Sequence, residues 1–226
     1  MTSQQTGKLS SVRLLVIVVL AMWFALVFLL GANGAFVRPP DAPPFPILLG
    51  ATFPMVVFVA AYLGSGAFRA LILAADLRLL TAIQAWRAGG LGFLALHAHG
   101  LLPGLFAWPA GLGDIAIGVT APWVALALVC RPTFVASRQF VVWNLLGILD
   151  LVVAVSTGAL SSGFVAGLGA TVTTAPMAQL PLVLIPAYLV PLFAMLHLAA
   201  LFQARRLVAS GHSGERFGGT SDRGGF

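Results

Sequence analysis

Seven side chains that can ionise or form hydrogen bonds stand inside long apolar stretches of this 226-residue chain. They are Gln84, Arg87, His97, Asp114, Asn144, Asp150 and His197. Opposite charges can neutralise one another, and histidines and carboxylates can carry protons, bind solutes or act as metal ligands. Because such groups are costly in hydrocarbon, each needs a partner or a function there.

The arginine lies in the apolar, glycine-rich run QAWRAGGLGFLALHAH, residues 84–99. At 100° per residue of α-helix, Arg87, Gly90 and His97 fall in one stripe about 80° wide, whereas His99 points to the other side. The glycines of this run remove side-chain bulk, so that a second helix backbone can approach closely. The pattern predicts a tight helix contact with a charge inside it.

The two aspartates also share helix faces with small residues. Asp114 lies on one face with Gly111 and Gly118, and Asp150 lies on one face with Gly147. Faces of small residues are typical of helix contacts within membranes. Both carboxylates are therefore expected to point toward other helices.

Depths counted at about 1.5 Å per residue from the centre of each predicted span divide the polar residues into two clusters. The inner cluster, toward the cytoplasm, contains Arg87, Asp150, Asn144 and His197, with Gln84 beside them. The outer cluster contains His97, Asp114 and His99. We predict an ion pair between Arg87 and Asp150, because glycines beside both residues allow their helices to approach.

The composition places these residues in a membrane protein. Sixty per cent of the residues are hydrophobic, 8% are charged, and the mean hydropathy is +1.02. These values cannot supply a water-soluble surface. The net charge of +6 comes from scattered basic residues without a basic patch, which argues against nucleic acid as a partner. The predicted fold is an all-α integral membrane bundle of about six transmembrane helices.

The apolar runs predict helices at about 14–31, 47–64, 80–101, 106–129, 139–157 and 180–203, within a single membrane domain of residues 1–206. Residues 65–81 carry three charges on an amphipathic pattern and predict a short helix on the cytoplasmic surface between helices 2 and 3. Residues 33–46, with five prolines, and 156–179 predict outer loops. Residues 207–226 predict a flexible cytoplasmic tail.

The basic residues predict the orientation. With both termini in the cytoplasm, ten basic residues lie inside, Arg38 alone lies outside, and Arg87 lies within the membrane. A bacterial plasma membrane is the expected location. A cleaved signal peptide is the alternative for the first apolar run, but that run is longer than the usual signal core.

Several functions remain open at this level. The best reading is binding or passage of a small solute or a proton at the polar clusters. The alternatives are a non-catalytic scaffold or subunit, since about eleven large apolar residues offset the cost of burying Asp150, and a membrane-embedded enzyme with a metal or cofactor pocket. The expected partner is the lipid bilayer, with further membrane subunits or a second copy of the chain left open.

No nucleotide, nucleophile or metal motif is present in the sequence, and no cofactor is predicted. His97, His99 and Asp114 form a weak metal set in residue type alone. In a continuous helix the two histidines diverge by about 200°, so they could share an ion only if the helix ended before them.

Overall fold

The computed structural model describes residues 3–39, 42–163 and 172–218. Within these ranges the chain is helical and contains no strand. The α-helices are α1 (Ser3–Ala32), α2 (Phe45–Gly64), α3 (Gly66–Leu73), α4 (Leu77–Ile83), α5 (Leu91–Ala98), α6 (Gly104–Cys130), α7 (Arg138–Leu160) and α8 (Val190–Gly218). A 3₁₀ segment, Gln84–Gly90, joins α4 to α5, and a π-helical segment, Ile185–Leu189, precedes α8.

Six helical stretches of the described chain are long and apolar enough to cross a membrane, as predicted. They are Arg13–Ala32, Phe45–Gly64, Leu77–Ala98, Gly104–Cys130, Arg138–Leu160 and Ile185–Val208. The last of them is the most buried: 44% of its most apolar 18 residues lie inside the protein, against 6% for the first stretch. The sixth stretch is therefore the central one, and α1 lies at the edge.

The segment predicted as one surface helix, residues 65–81, is divided in two. At the start of α3, the Ser65 hydroxyl accepts a hydrogen bond from the backbone amide of Phe68 (3.2 Å). At the start of α4, the Asp76 carboxylate accepts one from the backbone amide of Arg78 (2.9 Å). Such side-chain caps satisfy the first free amides of a helix and fix where it starts. The third stretch consequently begins at Leu77 rather than near residue 80.

The last helix also differs from the prediction at both of its ends. It begins with the π-helical segment at Ile185 rather than near residue 180, because the chain still turns at Pro181. It continues to Gly218, since no proline interrupts the chain after Pro191. The predicted tail, 207–226, is thus helical as far as Gly218, and its remainder lies outside the described residues.

Burial in the third stretch follows a period of three residues. Thr81, Gln84, Arg87, Gly90 and Phe93 are all buried. A 3₁₀-helix has 3.0 residues per turn, so side chains three apart lie directly in line, whereas in an α-helix they drift by about 60° per step. The 3₁₀ segment therefore brings Gln84, Arg87 and Gly90 onto one side of the helix.

The line of buried residues packs closely against α6. A Cβ atom on Gly118 would collide with the backbone nitrogen of Ala88, and one on Gly90 would lie 2.9 Å from the carbonyl oxygen of Gly111. Only glycine permits such an approach between two backbones. The third stretch and α6 therefore form a tight pair that holds Arg87 against α6.

Candidate functional site

Arg87 is the centre of a buried network that joins four helical elements. Its side chain is fully buried. Nε donates to Oδ1 of Asp114 on α6 (2.7 Å), and Nη2 donates to Oδ2 of Asp150 on α7. Nη1 donates to the carbonyl oxygen of Gly147 (3.2 Å). One guanidinium thus binds two carboxylates and a backbone carbonyl, which uses its planar array of donors.

His197 on α8 completes the network from the other side. Its Nε2 lies 3.1 Å from Nη1 of Arg87, and its Nδ1 lies 2.9 Å from Oδ1 of Asn144. Because Nδ2 of Asn144 donates to the carbonyl of Phe140 (2.9 Å), the amide oxygen faces the histidine as an acceptor. This pattern assigns the proton to Nδ1 and leaves Nε2 to accept from the arginine.

Two glycines make room for the side chains of the network. A Cβ atom on Gly147 would collide with the imidazole of His197, and one on Gly113 would collide with the carboxylate of Asp150. The backbone of α7 thus approaches the histidine directly, and its carbonyl at Gly147 reaches Arg87. The glycines place the polar atoms within hydrogen-bond distance.

The charges of this network do not balance. Arg87 brings one positive charge to the two carboxylates of Asp114 and Asp150, so that one negative charge is in excess when both are ionised. No other cation lies in contact with either carboxylate among the described side chains. An excess charge in a poorly solvated site is costly, which favours occupation by a proton or another cation.

A cavity of about 220 Å³ reaches the network at Asp114. One face of α7, from Leu151 to Ala159, lines it over about 12 Å of helix, and Ser162 lines it just after the helix ends. Its lining also includes Arg38, which is exposed in the segment after α1, and Thr173 and Thr174. The cavity therefore leads from the loops at one end of the bundle to a carboxylate inside it.

The predicted pair of Arg87 and Asp150 is present, but the division into two clusters is wrong. Asp114, assigned to the outer cluster, binds the same guanidinium as Asp150. The depth count placed the third span at residues 80–101, which put Arg87 about 5 Å to the cytoplasmic side of the centre. The helical stretch is Leu77–Ala98, so its midpoint lies beside Arg87 and the arginine comes closer in depth to Asp114.

The remaining members of the predicted outer cluster do not join the network. Nδ1 of His97 lies 2.9 Å from the carbonyl oxygen of Leu102, in the turn that follows α5, and its ring packs 6.0 Å from that of Trp108. His99 is exposed. In the part of the chain that the structure describes, no three His, Cys, Asp or Glu side chains are placed to share a metal ion, so the weak set with Asp114 is not assembled.

Gln84 lies on the same line as Arg87, three residues before it. Its Nε2 donates to the carbonyl of Phe193 (3.2 Å), while its buried Oε1 has no hydrogen-bond partner among the described residues. Thr81 precedes it by another three residues and is also buried. Thr81 is not among the site residues predicted from the sequence, although it stands three residues before Gln84, as Gln84 stands before Arg87.

The fold and the site define a helical protein with six apolar helices around a buried, incompletely neutralised ion network. A family model described as a domain of unknown function (DUF8737) matches residues 44–205, and the chain belongs to this family. The match extends from the start of α2 into α8 and includes every residue of the network. No curated protein and no solved structure matches the chain.

Proposed function

We propose that this protein lies in a bacterial plasma membrane as a six-span bundle with both termini in the cytoplasm, and that it binds and passes a small solute or a proton at the Arg87 network. The large apolar side chains that the helices expose support insertion into lipid. The excess of basic residues in the segments assigned to the cytoplasm supports the orientation.

The observation that carries the function is the incomplete neutralisation of two buried carboxylates, one of which lines a cavity. A carboxylate that is accessible from one end and shares its arginine with a second carboxylate can exchange a proton or a cation. Intramembrane ionisable groups in this arrangement commonly serve proton relays and substrate sites.

The buried line of polar residues supports a continuation toward the other end of the bundle. Gln84 and Thr81 precede Arg87 on the third stretch and extend the buried line away from the cavity. The free Oε1 of Gln84 can accept a hydrogen bond from a water molecule or a solute. Polar groups in single file through apolar helices offer successive partners to a proton.

A non-catalytic scaffold is the second candidate, and one observation favours it. Four hydrogen bonds connect Arg87 to acceptors on three neighbouring helices, Asp114, Gly147, Asp150 and His197. A network satisfied to this degree can hold helices together without passing anything. The two candidates differ in whether the carboxylates exchange protons with the solution.

Proton flux into proteoliposomes distinguishes them. We expect vesicles with the wild-type protein to take up protons under an imposed membrane potential, reported by a pH-sensitive dye inside. Asp114→Asn should reduce the uptake to that of protein-free vesicles. Asp76→Asn is the matched control, because Asp76 is exposed and asparagine keeps its helix cap. Wild-type vesicles that take up no more protons than protein-free ones would favour the scaffold.

A further inference from the structure

The cavity is apolar along its walls and carries a charge at the level of the network. Most of the residues that line it are apolar. The helices and the π-helical segment contribute Ile47, Phe93, Phe106, Leu151, Ala154 and Ile185 among others, and the segments after α1 and before the π-helical segment contribute further apolar residues. Its volume of about 220 Å³ lies below the range of about 300–1,000 Å³ typical of drug-sized sites. The cavity therefore suits a small molecule with an apolar body.

One carboxylate oxygen of Asp114 is available to bind such a molecule. Arg87 donates to its Oδ1, and Oδ2 has no donor among the described residues. The charged and titratable groups around this carboxylate are Arg87 from the third stretch, Asp150 from α7 and His197 from α8; the elements that form the rest of the cavity wall add none near it. The net charge of these groups is negative when both carboxylates are ionised, because two carboxylates face one guanidinium.

Arg38 does not change the preference of this site for a cation over an anion. It is exposed, whereas Asp114 lies inside the bundle, ten residues into α6. The charge of an exposed arginine is screened by water and salt, since the Debye length is about 8 Å at physiological ionic strength. An anion would therefore meet an uncompensated negative charge at the inner end of the cavity.

The walls also decide between an organic and an inorganic cation. A small metal ion requires several oxygen ligands, whereas Asp114 is the one acidic side chain among the residues that line the described cavity. Phe93 and Phe106 line the same cavity with their ring centroids 5.2 Å apart. Aromatic faces attract organic cations, whose charge is spread over a less strongly hydrated surface.

We propose that the cavity binds a small organic cation with an apolar body, whose charged nitrogen lies against Oδ2 of Asp114, and that this cation competes with a proton for the site. The inference rests on the proposed function and names its solute. Either occupant removes the excess negative charge, and both together would create a positive one, so that the two exclude each other.

Binding to the purified full-length protein in detergent tests this inference. The probe is phenyltrimethylammonium, whose charge is independent of pH, and its neutral isostere is tert-butylbenzene. We expect the cation to bind at least about tenfold more tightly than the isostere, a ratio that corresponds to about 1.4 kcal/mol. Its apparent Kd should rise as the pH falls, by up to about tenfold per pH unit where the proton competes. Adding the cation to weakly buffered protein should release protons.

Two variants separate the site from a general loss of structure. Asp114→Asn should bind the cation and the isostere equally, with no dependence on pH. Ala154→Phe, which fills the cavity and neither adds nor removes a charge, should abolish binding of both probes, and Asp76→Asn should behave as the wild type. Circular dichroism and gel filtration establish that each variant is folded.

The outcomes distinguish this inference from the proposed function. Equal wild-type affinity for the cation and its isostere, or tighter binding of phenylacetate, would overturn the inference, whatever the proton flux. Proton flux without cation binding would refute the inference and leave the proposed function standing. Cation binding without flux of protons or cation would support the ligand class and refute passage through the membrane.

Discussion

Replacing Arg87 by glutamine should destabilise the protein more than neutralising either aspartate that it binds. Arg87→Gln leaves Asp114 and Asp150 buried together without a cation, and removing one partner of a buried pair typically costs about 3–5 kcal/mol. Asp150→Asn loses a charge-assisted hydrogen bond of about 1.5–3 kcal/mol but also removes the excess negative charge. Its net cost should therefore stay below about 2 kcal/mol.

Thermal unfolding in mild detergent measures this order. For a chain of this length, about 2–4 °C of Tm accompanies each kcal/mol, so Arg87→Gln should lower the Tm by roughly 6–20 °C. The triple variant with Asp114→Asn and Asp150→Asn added should recover most of the loss, because no charge remains buried. Arg69→Gln is the matched control, since Arg69 is exposed and donates only to backbone carbonyls.

The double variant Arg87→Gln with Asp150→Asn is the informative intermediate. It still holds the carboxylate of Asp114 without a cation, so we expect it to recover only part of the lost stability. If Arg87→Gln is no less stable than Asp150→Asn, or if the effects of the three substitutions simply add, the three groups do not share one charge balance.

Two further predictions concern packing and topology. Gly118→Ala should lower the stability by about 1–3 kcal/mol in the same Tm assay, because its Cβ would collide with the backbone at Ala88. Gly89→Ala is the control and should be tolerated, because no atom lies within 4 Å of the added Cβ. Equal effects of the two substitutions would contradict the close approach of the third stretch and α6. Reporter fusions after Thr133 should report the cytoplasm, and fusions near Ser162 should report the outside. A cytoplasmic signal near Ser162 would refute the six-span orientation. A cysteine that replaces Arg69 should react with a water-soluble thiol reagent from the cytoplasmic side.

The helices and the side-chain chemistry available to them can be predicted from the sequence. Long apolar runs bounded by proline-rich or polar segments leave the backbone few alternatives to helix in a membrane, so six apolar helices could be predicted from composition and length. The structure contains the predicted pair of Arg87 and Asp150. The glycines beside them do not join these two helices, because Gly90 lies against α6 and Gly147 lies against His197 of α8. Insertion and orientation stay predictions.

How the polar groups combine depends on the packing of the helices. Helical periodicity gives the direction of a side chain around its own axis, but the relative heights of two helices depend on their packing and on the local rise. The third stretch begins at Leu77 and has its midpoint beside Arg87, which allows Asp114 to bind the same arginine as Asp150. The cavity is formed by several helices at once, so no single stretch of sequence contains its shape, and the open oxygen of Asp114 follows from that packing alone.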